Sequence, residues 1–344
     1  MDKDVTDSEF DLGAVPPEDR QLMIDDLIDR IKESADKLAS DEPSRGDLKI
    51  LSRTLRELRY AFKVFSPYRQ RHKVTVFGSA RTREEAPAYQ QAVQFGKAMA
   101  DADWLVVTGA ASGIMEAGHR GAGREHSMGL NIMLPFEQEA NPIIAGDHKL
   151  VHMKYFFTRK LMFVKECDAV VCLPGGFGTL DEAMEVLTLL QTGKRDMVPL
   201  ILLDPPGGTY WNGLHDFIKD NLLAGGMISE EDFSLYKLTD DCDEAVQECL
   251  QFFRVYHSMR YVKRNLVIRL QQDVRETLAD EINENFADIL GSGEFKLSEA
   301  LPEEGNEPEF ADMQRLVFHF NRRNLGRLRQ LIDYLNQAGV DNIG

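Results

Sequence analysis

The chain has 344 residues, enough for about two domains with a buried core, and its 43% hydrophobic and 28% charged residues are globular proportions that exclude a disordered or fibrous chain. Forty Lys and Arg against 57 Asp and Glu leave a formal charge of −17, which argues against a nucleic-acid polymer as partner but leaves room for a small phosphorylated ligand held by backbone N–H groups and an arginine or two. Cys167, Cys172, Cys242 and Cys249 are too few and too scattered for a disulfide framework and fit a reducing cytoplasm, the acidic N-terminus lacks the pattern of an export signal, and no apolar run approaches the roughly 18 residues of a membrane span.

Residues 1–20 contain seven acids and two adjacent prolines, too little apolar matter to offset ordering, and read as a flexible tail. Leu22, Leu27, Ile28 and Ile31, then Leu48, Leu51, Leu55, Leu58, Phe62 and Phe65, recur at helical spacing and predict two amphipathic helices broken near Pro43 and Gly46, suited to a helical collar or subunit contact. From Lys73 short apolar runs alternate with helical stretches. The runs are Val74–Phe77, Trp104–Thr108, Leu130–Leu134, Ala169–Leu173 and Val198–Leu203; the helices include Tyr89–Ala100 and Leu180–Leu190. Apolar strands alternating with helices predict an α/β doubly wound parallel sheet, because parallel strands need crossover connections that cover both faces.

Beyond Val255 the rhythm changes to strand-like Leu266–Leu270, a helix over Val274–Leu290, strand-like Phe295–Leu297 and Leu316–Phe320, and an amphipathic helix carrying Leu325, Leu328, Leu331, Ile332 and Leu335. That order predicts a small α+β unit, with the acidic loop Pro302–Glu309 inside it and no chemistry evident there. The division is 1–20 tail, 21–70 helical segment, 71–258 doubly wound domain and 262–344 accessory α+β domain.

In an open parallel sheet, ligands collect beyond the carboxyl ends of the strands, where helix N-termini direct free N–H groups. Three glycine turns fall there: Gly78-Ser79-Ala80-Arg81, Gly109-Ala110-Ala111-Ser112-Gly113 and Pro174-Gly175-Gly176-Phe177-Gly178-Thr179. The third suits a phosphate, with Thr179 expected to begin the next helix. It is not the dinucleotide GxGxxG pattern, since Asp181 stands where the third glycine belongs, and Gly193-Lys194 is followed by Arg195, which breaks a Walker A loop. Glu182 has two readings. Thr179 and Glu182 have the T-x-x-E spacing of a capping box, in which the glutamate ties off its own helix; alternatively its carboxylate faces the sugar of a bound sugar phosphate.

The stretch PGGFGTLDE, Pro174 to Glu182, resembles the PGGxGTxxE signature of the LOG family, Rossmann-like cytokinin riboside 5′-monophosphate phosphoribohydrolases and related nucleotide nucleosidases long labelled lysine decarboxylases. Phe157-Thr158-Arg159-Lys160 resembles the family's Arg-Lys motif, and Gly113-Ile114-Met115-Glu116-Ala117 and Gly129-Leu130-Asn131-Ile132 resemble its longer members, over about Lys73 to Val255. The resemblance implies hydrolysis of the N-glycosidic bond of a purine nucleoside 5′-monophosphate such as AMP, without metal or organic cofactor, in a homodimer or larger homo-oligomer. It assigns catalysis to Glu182 and Arg159, and nucleotide binding to Gly175, Gly176, Phe177, Gly178, Thr179, Gly109, Ser112, Gly113, Ser79, Glu116 and Lys160.

Longer members carry three glycines at the second turn, whereas Gly109 here precedes Ala110 and Ala111, whose Cβ atoms are expected to restrict backbone approach or strain a position of positive φ. The other functional class open to the same loops is a nucleotide-binding sensor or carrier that never cleaves its ligand. A decarboxylase finds no cofactor motif around Lys160. His119 and His126 lack the partners of a metal site and read as solvated or hydrogen-bonded, and Cys167 and Cys172 read as packing residues.

Overall fold

The computed structural model describes residues 17–133, 139–304 and 307–338. Residues 1–16 of the expected tail, and Leu134 of the expected third strand, lie outside them. Helix α1 (Pro17–Lys37) begins inside the stretch read as tail, with proline at its first position, where a missing N–H costs nothing. Next comes α2 (Arg45–Phe65), which takes Gly46 into its first turn rather than breaking there. The apolar side chains Ile24, Ile28 and Ile31 of α1, and Leu48, Leu51, Leu55 and Phe62 of α2, remain exposed.

The α/β elements follow in the alternation the sequence predicts: β1 (Lys73–Phe77), α3 (Pro87–Asp101), β2 (Leu105–Thr108), α4 (Ile114–His126), β3 (Ser127–Ile132), β4 (Leu150–Met153), α5 (Phe156–Glu166), β5 (Ala169–Cys172), α6 (Phe177–Gln191), β6 (Leu200–Leu203), α7 (Tyr210–Phe217), β7 (Lys237–Thr239) and α8 (Cys242–Phe252). The seven strands form one parallel sheet in the order β4-β3-β2-β1-β5-β6-β7. Strand order runs outward in both directions from the β1–β5 pair, so the switch point of this doubly wound sheet lies between those two strands. The central strands are mostly apolar because helices cover them: Val76, Leu105, Val170, Leu200 and Leu202 have no exposed surface, and each such side chain contributes about 1.5–3 kcal/mol.

A second, antiparallel sheet is built from β8 (Tyr256–Val262), β9 (Asn265–Leu270), β10 (Leu290–Ser298) and β11 (Gln314–Phe320), in the order β10-β11-β9-β8. Helix α9 (Thr277–Phe286) lies between β9 and β10 in the chain, and α10 (Leu325–Ala338) follows β11. The expected helix over Val274–Leu290 is thus shorter, and β8 is a strand that the sequence reading passed over. The acidic loop is not a solvated connection: Glu304 and Glu307 are buried, with Glu304 accepting from Arg269 Nη2 (2.8 Å) and Arg315 Nε (3.2 Å), and Glu307 pairing with Arg269. All four cysteines are free, buried thiols, Cys167 and Cys172 among them as the packing reading expected.

The chain divides into two compact units, Ser52–Phe252 with Asn324–Gln330, and the described residues of Met1–Leu51, Phe253–Arg323 and Leu331–Gly344. This partition differs from the linear ranges 21–70, 71–258 and 262–344 by cutting through α2 and α10. Among the described residues no helix is long and apolar enough to cross a membrane.

Candidate active site

A cavity of about 1370 Å³ opens at the carboxyl ends of the parallel strands, where the turns after β1, β2, β3 and β5 meet. The turns hold one another through backbone contacts. Ser79 N–H donates to Pro174 O (3.1 Å) and Ile114 N–H to Ser79 O (3.0 Å), which binds the first turn to the third and to α4. Ser112 Oγ donates to Ala80 O (2.9 Å), and Tyr210 Oη donates to Gly175 O (2.7 Å). Two glycines are required by this packing. A Cβ at Gly175 would stand 2.1 Å from Thr179 Oγ1, and one at Gly113, where φ is +66°, would stand 2.3 Å from Ser79 O.

Of the residues assigned from the sequence, Gly175, Gly176, Phe177, Gly178, Thr179, Gly109, Ser112, Ser79, Glu116, Arg159 and Glu182 all line this cavity. Gly113 and Lys160 are not in its wall. Gly113 is the N-cap of α4 and shapes the turn from behind. Lys160 Nζ is engaged by Asp181 (2.8 Å) and Glu185 (2.6 Å) on α6, and stands 3.8 Å from Glu182, so it joins α5 to α6 behind the cavity. Glu116 lines the wall with its carboxylate held by Arg120 Nη2 at 2.9 Å. Phe177 is 92% exposed at the mouth, an unusual position for a large apolar ring and the reason for placing it at the entrance rather than in the core.

The capping-box alternative for Glu182 is not formed. Helix α6 starts three residues earlier than expected: Gly176 is its N-cap, no side chain caps it, and Thr179 is already the third helical residue. Glu182 therefore lies in the second turn, beyond reach of the N-cap amide, and turns into the cavity wall with 5% of its surface exposed. Burial drives its pKa up, partly opposed by the positive charges of Lys160 and Arg159, leaving it at about 7 against an ordinary 4.5. Arg159, in the first turn of α5, has its guanidinium over Phe156 and Phe163 at 5.1 and 5.6 Å from the ring centroids. Burial lowers its pKa while Glu182 raises it, and its Nε is buried without a hydrogen-bond partner among the described residues. A half-buried cation and a buried carboxylate that face one cavity without being joined to each other by a close ion pair are poised for a ligand that has use for both.

The second turn explains the two alanines. Ala110 adopts the left-handed conformation, φ +58°, that glycine occupies without strain, and its methyl is fully buried against Ile144 and Leu150. Its N–H donates to Thr108 Oγ1 (2.9 Å), and its carbonyl accepts from Asn141 N–H (2.8 Å). Only Ala111 presents itself to the cavity.

Two wall residues that the sequence reading did not assign are Asn131, at the end of β3, and Asn141; each is 4% exposed with an Oδ1 that has no partner among the described residues. A polar residue within the otherwise apolar run Leu130–Ile132 was the available signal for Asn131. Asn141 Nδ2 donates to His119 Nδ1 (3.2 Å), and His119 Nε2 lies 2.9 Å from Met128 O. Burial lowers the His119 pKa to about 4, so it is the neutral, hydrogen-bonded histidine that the sequence allowed for. Among the described residues no group of three or more His, Cys, Asp or Glu could hold a metal ion.

Fold and cavity together define a doubly wound α/β protein with an acid and an arginine facing one space over a glycine-rich helix start. The family described as "Possible lysine decarboxylase" matches residues 108–249. Cytokinin riboside 5′-monophosphate phosphoribohydrolase LOG3 of Arabidopsis thaliana is 32% identical over 162 residues, 46% of this chain and 72% of its own length. LOG7 of the same plant is 35% identical over 149 residues, 42% of this chain, and the match spans 65% of LOG7. Among solved structures, the molybdenum cofactor carrier protein of Chlamydomonas reinhardtii is 20% identical over 53% of this chain and 98% of its own, with a TM-score of 0.38. The chain belongs to the LOG family.

Proposed function

We propose that this chain hydrolyses the N-glycosidic bond of a purine nucleoside 5′-monophosphate, AMP or a cytokinin riboside monophosphate, giving the free base and ribose 5-phosphate with no metal or organic cofactor. The observation that carries the reading is the orientation of Glu182 into the cavity, away from its own helix end. The names of the plant relatives support the same reaction class.

In this reading the phosphate rests on the turn Gly175–Thr179, where the first-turn N–H groups and the positive end of α6 favour an anion. The C1′–N9 bond breaks with its electron pair going to the base. Positive charge then builds on the ribose, and ionised Glu182 stabilises it and takes a proton from the water that attacks C1′. Arg159 contacts the substrate beside Glu182, and a proton delivered to the departing base completes the balance. The working form is a cytoplasmic homodimer or larger homo-oligomer.

Incubation with AMP, with chromatography for adenine and ribose 5-phosphate, is the test. Glu182→Gln keeps the shape and removes the charge; it is expected to lower turnover about 100-fold or more without loss of stability. Tight binding with no product over hours would instead make the protein a nucleotide sensor or carrier, and normal turnover by Glu182→Gln would remove the catalytic assignment.

A further inference from the structure

Arg159 stands on a helix whose start has no cap of its own. Tyr155 is the N-cap residue of α5, and its side chain makes no capping hydrogen bond. The first helical N–H groups of such an end need an acceptor, and a negative charge there is favourable. The charge comes from far away in sequence. Glu57 on α2, 5% exposed, directs its carboxylate to this end: Oε1 accepts from Lys154 N–H at 2.8 Å, and Oε2 accepts from Thr158 Oγ1 at 2.8 Å. The Thr158 hydroxyl also lies 2.9 Å from Tyr155 O, and through Lys154 and Thr158 the carboxylate holds the residue before the N-cap and the third residue of the helix. Arg53 Nε, 2.7 Å from Oε1 and one helical turn earlier on α2, fixes the rotamer of the carboxylate. Burial acts to raise the Glu57 pKa, but the hydrogen bonds from Arg53, Lys154 and Thr158 outweigh it and hold the group ionised, below the usual range.

The residue after Thr158 is Arg159. We propose that Glu57 is a positioning residue: by holding Lys154 and Thr158 it sets the first turn of α5 and thereby the place of the Arg159 guanidinium opposite Glu182. The inference rests on the reading of Arg159 as a substrate contact, and it gives α2, outside the residues matched by the family, a part in the site. A buried carboxylate with three donors is costly to disturb, and a displacement of about 1 Å in a catalytic group costs up to about 100-fold in rate.

The experiment is a double-mutant cycle on the full chain with AMP, joined to hydrogen exchange. Glu57→Ala is expected to lower kcat/KM by about 10- to 100-fold, with kcat taking most of the loss. Glu57→Gln, which keeps an oxygen for Lys154 N–H, should recover much of it, and Thr158→Val, a milder change, should lose less than Glu57→Ala. If Glu57 acts through Arg159, the Glu57→Ala/Arg159→Ala double variant is no slower than Arg159→Ala alone; additive losses would overturn the proposal. Should the unaltered protein neither bind nor cleave AMP, the functional reading falls by itself, and exchange decides about Glu57. Faster exchange in Glu57→Ala over the segment 154–163, with α6 unchanged, supports the proposal, and unchanged exchange there refutes it.

Discussion

A carboxylic acid removed from water keeps its proton to higher pH, and Glu182 shows what that does to a site. With its pKa near 7 it is about half ionised at neutral pH, where an unfolded chain with the ordinary 4.5 would have it almost fully ionised. Because the fold raises this pKa, the contribution of Glu182 to stability is greatest below pH 4.5 and falls as pH climbs toward 7. Its activity runs the other way, since the ionised form is the one that can stabilise a cationic sugar. The kcat/KM for AMP is therefore expected to rise with pH through a midpoint of about 7, and a profile that is flat from about pH 5 to about pH 9 would contradict this role. The glycine turns were legible in the sequence because their backbone demands are written locally, whereas Glu182 and Arg159 were singled out by the resemblance of their motifs, the local T-x-x-E spacing of Glu182 fitting a capping box equally well. Glu57 and Asn141 were not, because their roles arise from contacts across the fold: Glu57 meets Thr158 at a separation of 101 residues.

Among elements, what could be read depended on burial. Strands β1, β2, β5 and β6 are covered on both faces and appear as largely apolar runs. Those missed or under-read are β4 and β7 at the edges of the parallel sheet, and β8 and β10 at the edges of the antiparallel one. An edge strand is partly solvated, so its sequence mixes polar and apolar residues, as in Tyr-His-Ser-Met-Arg-Tyr-Val of β8. The segment between β10 and β11 read only as an acidic loop with no chemistry evident, yet Glu304 is the buried hub between Arg269 on β9 and Arg315 on β11. Removing one member of a buried ion cluster leaves the others uncompensated, so Glu304→Ala is expected to destabilise its unit by about 3–5 kcal/mol. Urea unfolding followed by circular dichroism would measure it, and a loss below about 1 kcal/mol would show that water or rearrangement satisfies the two arginines.

At the scale of the whole molecule, the surface carries a net charge of −17 that keeps copies apart, and against it stand apolar side chains with no cover. Leu48, Leu51, Leu55 and Phe62 follow the three-and-four spacing of a helix seam on α2, and each is at least 38% exposed. Exposed rows of this kind belong to association surfaces more than to monomers. Sedimentation velocity at about 10 μM is expected to show a dimer or larger species, weakened by Leu51→Glu with Leu55→Glu; a monomer at that concentration would contradict the assembly.

The left-handed residue at position 110 has one further consequence. Its methyl group is spent behind the wall, among Ile144 and Leu150, and takes no room from a guest in front of it. Sorting related sequences into working and silent ones by whether glycine or alanine occupies this spot would classify their hydrophobic interiors and say nothing about what they accept.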